Sequence, residues 1–151
     1  MADVRSLEGR VALVTGSGRN IGRATILELA SRGADVVTNA RSNREEAESV
    51  AQEARDLGVR AAATVADVAD QAQVNAMVSA ALNEFGRVDI LVNNAGPRDV
   101  KSFTDMTLGD WRYVNGVNMD GPFFCSKAVV PGRIERGWGR IINVSGLNAF
   151  K

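Results

Sequence analysis

Apolar runs of strand length alternate along this chain with helical patterns that carry one apolar face. Val11–Thr15 reads as a first strand, and a helical pattern from Ile21 to about Ser31 follows until Gly33 stops it. A second strand is predicted at Ala34–Ala40. Ala47, Val50, Ala51, Ala54 and Leu57 then recur on one helical face, with Glu45 and Glu46 in the first turn, where the helix dipole favours anions, and Gly58 at the end. Ala61–Val65 makes a short third strand. Asp70 and Gln73 are spaced as a capping box ahead of Val74, Met77, Val78, Ala81, Leu82 and Phe85, and Gly86 closes that helix. Val88–Val92 is a fourth strand. Thr107 with Asp110 caps a long helical stretch up to about Arg136, interrupted near Gly121-Pro122, and Arg140–Val144 is the fifth strand.

Strands separated by helices cannot pair as hairpins. The order therefore predicts right-handed βαβ crossovers: an α/β, Rossmann-like doubly wound parallel sheet covered on both faces. No repeat, low-complexity tract or linker divides the chain, so residues 1–151 read as one domain of about five strands. Lys151 comes shortly after the fifth strand, where a six-stranded dinucleotide domain still needs a strand and helices. The expectation is a domain incomplete at its C-terminus, its fifth strand an exposed edge open to association unless another chain covers it.

Composition narrows the chemistry. Lysine and arginine number 18 against 18 aspartate and glutamate, so there is no basic field for a nucleic acid and no polybasic membrane anchor. The absence of histidine removes His-based triads and histidine metal sites, and the single cysteine, Cys125, makes neither an internal disulfide nor a Cys-x-x-Cys metal clip. No stretch approaches the roughly 18 apolar residues of a membrane span, and the charged start Met1–Glu8 is unlike a signal peptide. A soluble, cytoplasmic protein is the expectation.

The first strand runs through Gly16-Ser17-Gly18-Arg19-Asn20-Ile21-Gly22 into a helix. Glycines let the backbone pass close to phosphates, and the free N–H groups at the helix start, with the positive dipole end, face an anion. The spacing departs from G-x-G-x-x-G, and a tight turn without a ligand is the plain alternative.

Thr15-Gly16-x-x-x-Asn20-x-Gly22, then Asp67-Val68, then Asn93-Asn94-Ala95-Gly96, then Asn118 in a long helix, stand together in one order. In these motifs the chain resembles the short-chain dehydrogenase/reductase family, most closely its acyl-carrier-protein reductase-like members. The resemblance covers nearly the whole sequence, but only about the first three-fifths of a typical member, judged by the elements still to come. It implies a dinucleotide held by Gly16, Ser17, Arg19, Asn20, Ile21 and Gly22. Asn20 stands where the family usually has glycine; asparagine tolerates the left-handed conformation, and its side chain is open to two roles, reaching a phosphate or capping the helix.

Relatives use an aspartate in the position of Asp67 for the adenine amino group and the next N–H, that of Val68, for the ring; a turn-forming aspartate is the alternative. Asn94, Ala95 and Gly96 close the fourth strand at the carboxyl edge of the sheet, where ligands sit in open α/β folds. In relatives this string steadies the sheet and approaches the ribose. After the second strand, Thr38-Asn39-Ala40-Arg41-Ser42-Asn43 lacks the carboxylate that NAD users place on the ribose hydroxyls, whereas Arg41 suits a 2′-phosphate and Arg19 resembles the second basic residue of NADP users. NADP(H) is therefore favoured over NAD(H).

Pro122 has no N–H for the carbonyl of Asn118, four residues earlier, which is thereby left free. In the family the corresponding carbonyl holds a water of the proton relay. The resemblance also implies hydride transfer to or from a small-molecule carbonyl or alcohol, with a tyrosine acid, a lysine four residues later and a serine. The only tyrosine is Tyr113 and Val117 stands four residues on, so no Tyr-x-x-x-Lys occurs here. Two registers are open at the fifth strand, with either Ser145 or Gly146 in the serine position. Three readings follow: the N-terminal portion of an NADP(H)-dependent oxidoreductase, inactive by itself; a dinucleotide-binding or scaffold protein without turnover; or a non-functional truncated product. Full-length relatives commonly form dimers or tetramers through their long helices, which leaves a homo-oligomer open.

Overall fold

The computed structural model describes residues 6–97 and 101–146. Strands β1 (Val11–Val14), β2 (Asp35–Ala40), β3 (Ala61–Val65), β4 (Ile90–Asn93) and β5 (Arg140–Asn143) form one parallel sheet in the order β3-β2-β1-β4-β5. Helices α1 (Asn20–Ser31), α2 (Arg44–Asp56), α3 (Gln71–Phe85), α4 (Leu108–Asn115) and α5 (Gly121–Arg136) make the crossovers. The chain winds outward from β1 through β2 to β3, then returns to place β4 on the other side of β1. The strand order thus reverses between β1 and β4, and a crevice opens outside the carboxyl ends of those strands.

Alternation along the strands explains the two-sided core. Val11, Leu13, Val37 and Leu91 join Val74, Met77, Val78, Phe85, Cys125 and Val129 from α3 and α5 on one face. Ala12, Val14, Val36, Ile90 and Val92 join Ile26, Ala30, Val50 and Ala54 from α1 and α2 on the other. Leu13 and Leu91 are wholly buried, each contributing about 1.5–3 kcal/mol, so stability concentrates in the central strands. β5 is exposed along its whole length, with Ile142 at 49% exposure, and among the described residues no strand covers its outer edge.

Strand and helix boundaries follow the sequence expectation within one or two residues. Three local details differ. β1 ends at Val14 because the Thr15 hydroxyl turns to accept the N–H groups of Asn94 and Ala95. The capping box at α3 has one arm only: Asp70 accepts from Ala72 and Gln73 N–H, but Gln73 Oε1 accepts from Asp67 N–H, since Asp70 N–H is already bonded to Asp67 O. At α4 the box is complete, with Thr107 and Asp110 each accepting the other's N–H. Lys101 and the Thr107 donors hold the Asp110 carboxyl well below the usual carboxylate range.

The third difference is the break in the long helix. It falls beside Gly121-Pro122 as expected, but takes the form of a π turn over Gly116–Asp120 in which Gly121 N–H donates to Gly116 O, five residues back. Pro122 follows as the second residue of α5, and its missing N–H falls directly beside the widened turn. The widened turn takes up the strain that a proline ring places on the carbonyl four residues earlier.

Cys125 lies fully buried in α5, and burial pushes its thiol up to about 11. Thiolate is the reactive form, so the folded chain is expected to resist alkylation by iodoacetamide at pH 8 and to react fully in urea. Fast labelling of the folded chain, read by intact mass, contradicts the packing described here.

At the opposite end of the sheet, Asp89 is wholly buried. Its Oδ2 accepts Val11 N–H at 3.0 Å and its Oδ1 accepts from Arg87 at 2.8 Å, with Arg136 Nε 3.7 Å away. Arg133, also buried, donates Nε to Val88 O at 3.1 Å, and its two terminal nitrogens are buried without a hydrogen-bond partner. Burial lowers the Arg133 pKa from its ordinary value, and Asp89 opposes that shift.

Candidate functional site

The glycine turn between β1 and α1 sits at the reversal of strand order. Gly16 has φ +61° and Asn20 has φ +51°, the only left-handed residue with a side chain among those described. Asparagine thus occupies a position that suits glycine, and the N-cap of α1 is Arg19, not Asn20. Arg19 makes no side-chain capping bond, whereas Asn43, Asp70 and Thr107 cap α2, α3 and α4. The N–H groups opening α1 therefore keep their hydrogen-bonding capacity, at the positive end of a 12-residue helix.

Close approach accounts for the other glycines. A Cβ on Gly22 would lie 2.4 Å from Gly16 O and 2.6 Å from Asn94 Nδ2, so α1 seats directly on the turn. A Cβ on Gly16 would lie 3.0 Å from Ala95 Cα, and one on Gly18 3.0 Å from Glu46 Cβ. The turn is clamped from both neighbouring strands. From β4, Asn94 Nδ2 donates to Thr15 O and Gly16 O, each at 3.0 Å. From β2, Asn39 Oδ1 accepts Gly16 N–H at 3.1 Å, and its Nδ2 donates to Ala66 O at 3.2 Å.

Ser17 joins the turn to β2. It is fully buried; its N–H donates to Asn39 O and its hydroxyl accepts Asn39 N–H, so both groups serve the clamp. Thr15, the first residue of the motif, completes this clamp with Asn39, which no motif covers. The signal for Asn39 in the sequence is the polar pair Thr38-Asn39 inside an otherwise apolar buried strand, since such groups must find partners.

The remaining candidates gather around the same edge. Asp67 follows β3 and its Oδ1 accepts Ala69 N–H at 2.9 Å, a turn-forming bond that occupies one of its two oxygens. Val68 is buried against the start of α5, where a Cβ on Gly121 would lie 2.9 Å from Val68 Cγ2. Thr15, Val68, Asn93, Ala95, Val117, Gly121 and Pro122 line a narrow crevice. Asn118 stands exposed in the π turn, its Oδ1 3.6 Å from where a Cβ on Gly96 would be. Ile21, Arg19 and Arg41 are exposed, and Arg41 donates a hydrogen bond to the Tyr113 hydroxyl across from β2. Ser145 and Gly146 are exposed just past β5. Arg98–Val100, part of the Pro97–Phe103 segment after β4, lie outside the described residues.

Parallel order 3-2-1-4-5 with a glycine turn at the reversal defines the Rossmann-like class. The family model for short chain dehydrogenase matches residues 10–151, and the chain belongs to that family. It is 39% identical over 142 residues to a 3-oxoacyl-[acyl-carrier-protein] reductase of Synechocystis sp., covering 94% of this chain and 58% of the relative. It is 37% identical to the BbsD subunit of (2S)-[(R)-hydroxy(phenyl)methyl]succinyl-CoA dehydrogenase of Thauera aromatica, covering 92% of this chain and 56% of that one. Among solved structures it resembles NAD+-bound xylitol dehydrogenase (TM-score 0.90, 35% identity, 97% of this chain, 56% of that chain). It also resembles a metagenomic short-chain oxidoreductase in complex with NADP (TM-score 0.88, 36% identity, 94% and 64%). The chain spans little more than half the length of these curated relatives.

Proposed function

We propose that this chain is the dinucleotide-binding portion of an oxidoreductase and takes NADP(H) in preference to NAD(H). The observation that carries the reading is the uncapped N-terminus of α1, with its left-handed Asn20, clamped at the reversal of strand order. N–H groups there satisfy a pyrophosphate, and their donors fit its charge. Asn94 and Asn39 hold that turn rigid, so little order is lost on binding. Arg41, beyond the end of β2 in a Thr38–Asn43 stretch without a carboxylate, supports the preference for a 2′-phosphate, and Arg19 is a second cation at the turn.

When bound, the nicotinamide supplies or accepts a hydride. On this side of the reaction the chain's own groups bind and orient: Asp67 and Val68 at the adenine end, Ala95 and Gly96 along the ribose, and the Asn118 carbonyl as a water acceptor in the π turn. The substrate is a small-molecule carbonyl or secondary alcohol in a longer form of the protein. Because no Tyr-x-x-x-Lys pair is present, this polypeptide binds without turning over, whichever of Ser145 and Gly146 stands in the serine position.

Fluorescence titration with NADPH and NADH tests the reading. NADPH is expected to bind more tightly, and Arg41→Ala to weaken NADPH by about tenfold or more while sparing NADH, as a charged hydrogen-bond partner is worth about 1.5–3 kcal/mol. Tighter NADH binding contradicts the preference. Measurable carbonyl reduction by this chain contradicts the absence of the acid.

A further inference from the structure

The Arg41 guanidinium is tied to α4. Its Nη1 donates to the hydroxyl of Tyr113 on α4, 72 residues away in sequence, and its central carbon lies 5.7 Å from the Tyr113 ring centroid. Among the described residues Arg41 enters no ion pair, in contrast to Arg23, Arg32, Arg55, Arg60 and Arg87. Its charge is held in place without being neutralised. A phenol hydroxyl accepts one N–H, leaving the other guanidinium donors for an anion.

We infer that Tyr113 is a specificity-determining positioning residue, which pre-orders Arg41 for the 2′-phosphate of NADP(H). The inference rests on the dinucleotide reading above. An exposed arginine beyond a strand end samples many rotamers, and a ligand that recruits it pays for that freedom; an anchored fork has already lost it. The anchor comes from α4, the helix that leads directly into the π turn containing Asn118. One continuous stretch of chain therefore carries both the Arg41 anchor and Asn118. Only a cofactor that engages Arg41 gains from the anchor, so the effect separates NADPH from NADH.

The test is a double-mutant cycle on the chain, with Tyr113→Phe, Arg41→Ala and the double variant titrated with NADPH and with NADH. Tyr113→Phe keeps the ring and removes the acceptor. It is expected to weaken NADPH binding by about two- to tenfold, the range of a single net hydrogen bond, and to leave NADH unchanged. In the Arg41→Ala background the same change is expected to do nothing further. Equal NADPH affinity in Tyr113→Phe and the parent overturns the inference and leaves the cofactor reading standing. Equal losses for NADPH and NADH, or a full additional loss in the double variant, overturn it as well, because Tyr113 then acts without Arg41. If the parent chain binds neither dinucleotide, both readings fall.

Discussion

Gly22→Ala is expected to destabilise the chain by about 1–3 kcal/mol, the usual cost of overpacking, and to abolish NADPH binding. Gly22 has ordinary helical geometry, so helix propensity alone favours alanine by about 0.8–1.0 kcal/mol. Sterics reverse the sign. The added methyl would stand 2.4 Å from Gly16 O and 2.7 Å from Ser17 Cα, both backbone atoms, and 2.6 Å from Asn94 Nδ2. Relief requires α1 to lift from the turn, which breaks the Asn94 clamp and misaligns the N–H groups proposed to meet the pyrophosphate. Gly109→Ala in α4 is the matched control, for its methyl meets only Thr107 Oγ1 at 3.6 Å. Urea midpoints at constant slope are expected to fall for Gly22→Ala and to hold or rise for Gly109→Ala. A Gly22→Ala chain as stable as the parent, with NADPH binding intact, shows that α1 does not seat as described.

The second large effect concerns the charge cluster at the other end of the sheet. Asp89→Asn is expected to cost about 3–5 kcal/mol, since it leaves Arg87, Arg133 and Arg136 without their shared anion in a buried setting. Arg133→Met is expected to act in the opposite direction and raise stability by up to about 1 kcal/mol, relief of the two partnerless nitrogens exceeding the loss of the Nε bond to Val88 O. Its buried terminal nitrogens have no partner, and a charged donor left so is a standing penalty. Methionine keeps an unbranched stem of similar length against Gly139, where a Cβ would lie 2.4 Å from Arg133 Cδ. For a domain of this size each kcal/mol moves the melting temperature by about 2–4 °C, which calorimetry resolves. An unchanged Asp89→Asn, or a less stable Arg133→Met, contradicts this account of the cluster.

The legible part of the fold was its periodicity. α2 shows this plainly: Ala47, Val50, Ala51 and Ala54 are buried as their spacing requires, and Asn43 caps the helix. Glycines 33, 58 and 86 adopt positive φ where the pattern stops, because a helix end commonly needs that conformation. The site was legible where motif and turn coincide, at Gly16, Asn20, Gly22 and Asn94. It was illegible where a residue's partner is remote in sequence. Ser17 sits within the motif, yet Asn39 takes both its groups inward. Nothing near Arg41 announces Tyr113, and nothing near Arg133 announces its stranded nitrogens.

Local chemistry therefore accounts for the elements, the parallel order and the glycine turn, all of which depend on residues within a few positions of one another. The form of the helix break is a tertiary matter: proline forbids one hydrogen bond, and the chain widens into a π turn over Gly116–Asp120 where Gly121 packs on Val68. The same holds for which polar groups face the crevice and which brace it. A hydrogen bond or steric contact between distant segments exists only once the sheet has brought their strands together, and no pattern along the chain encodes that meeting directly.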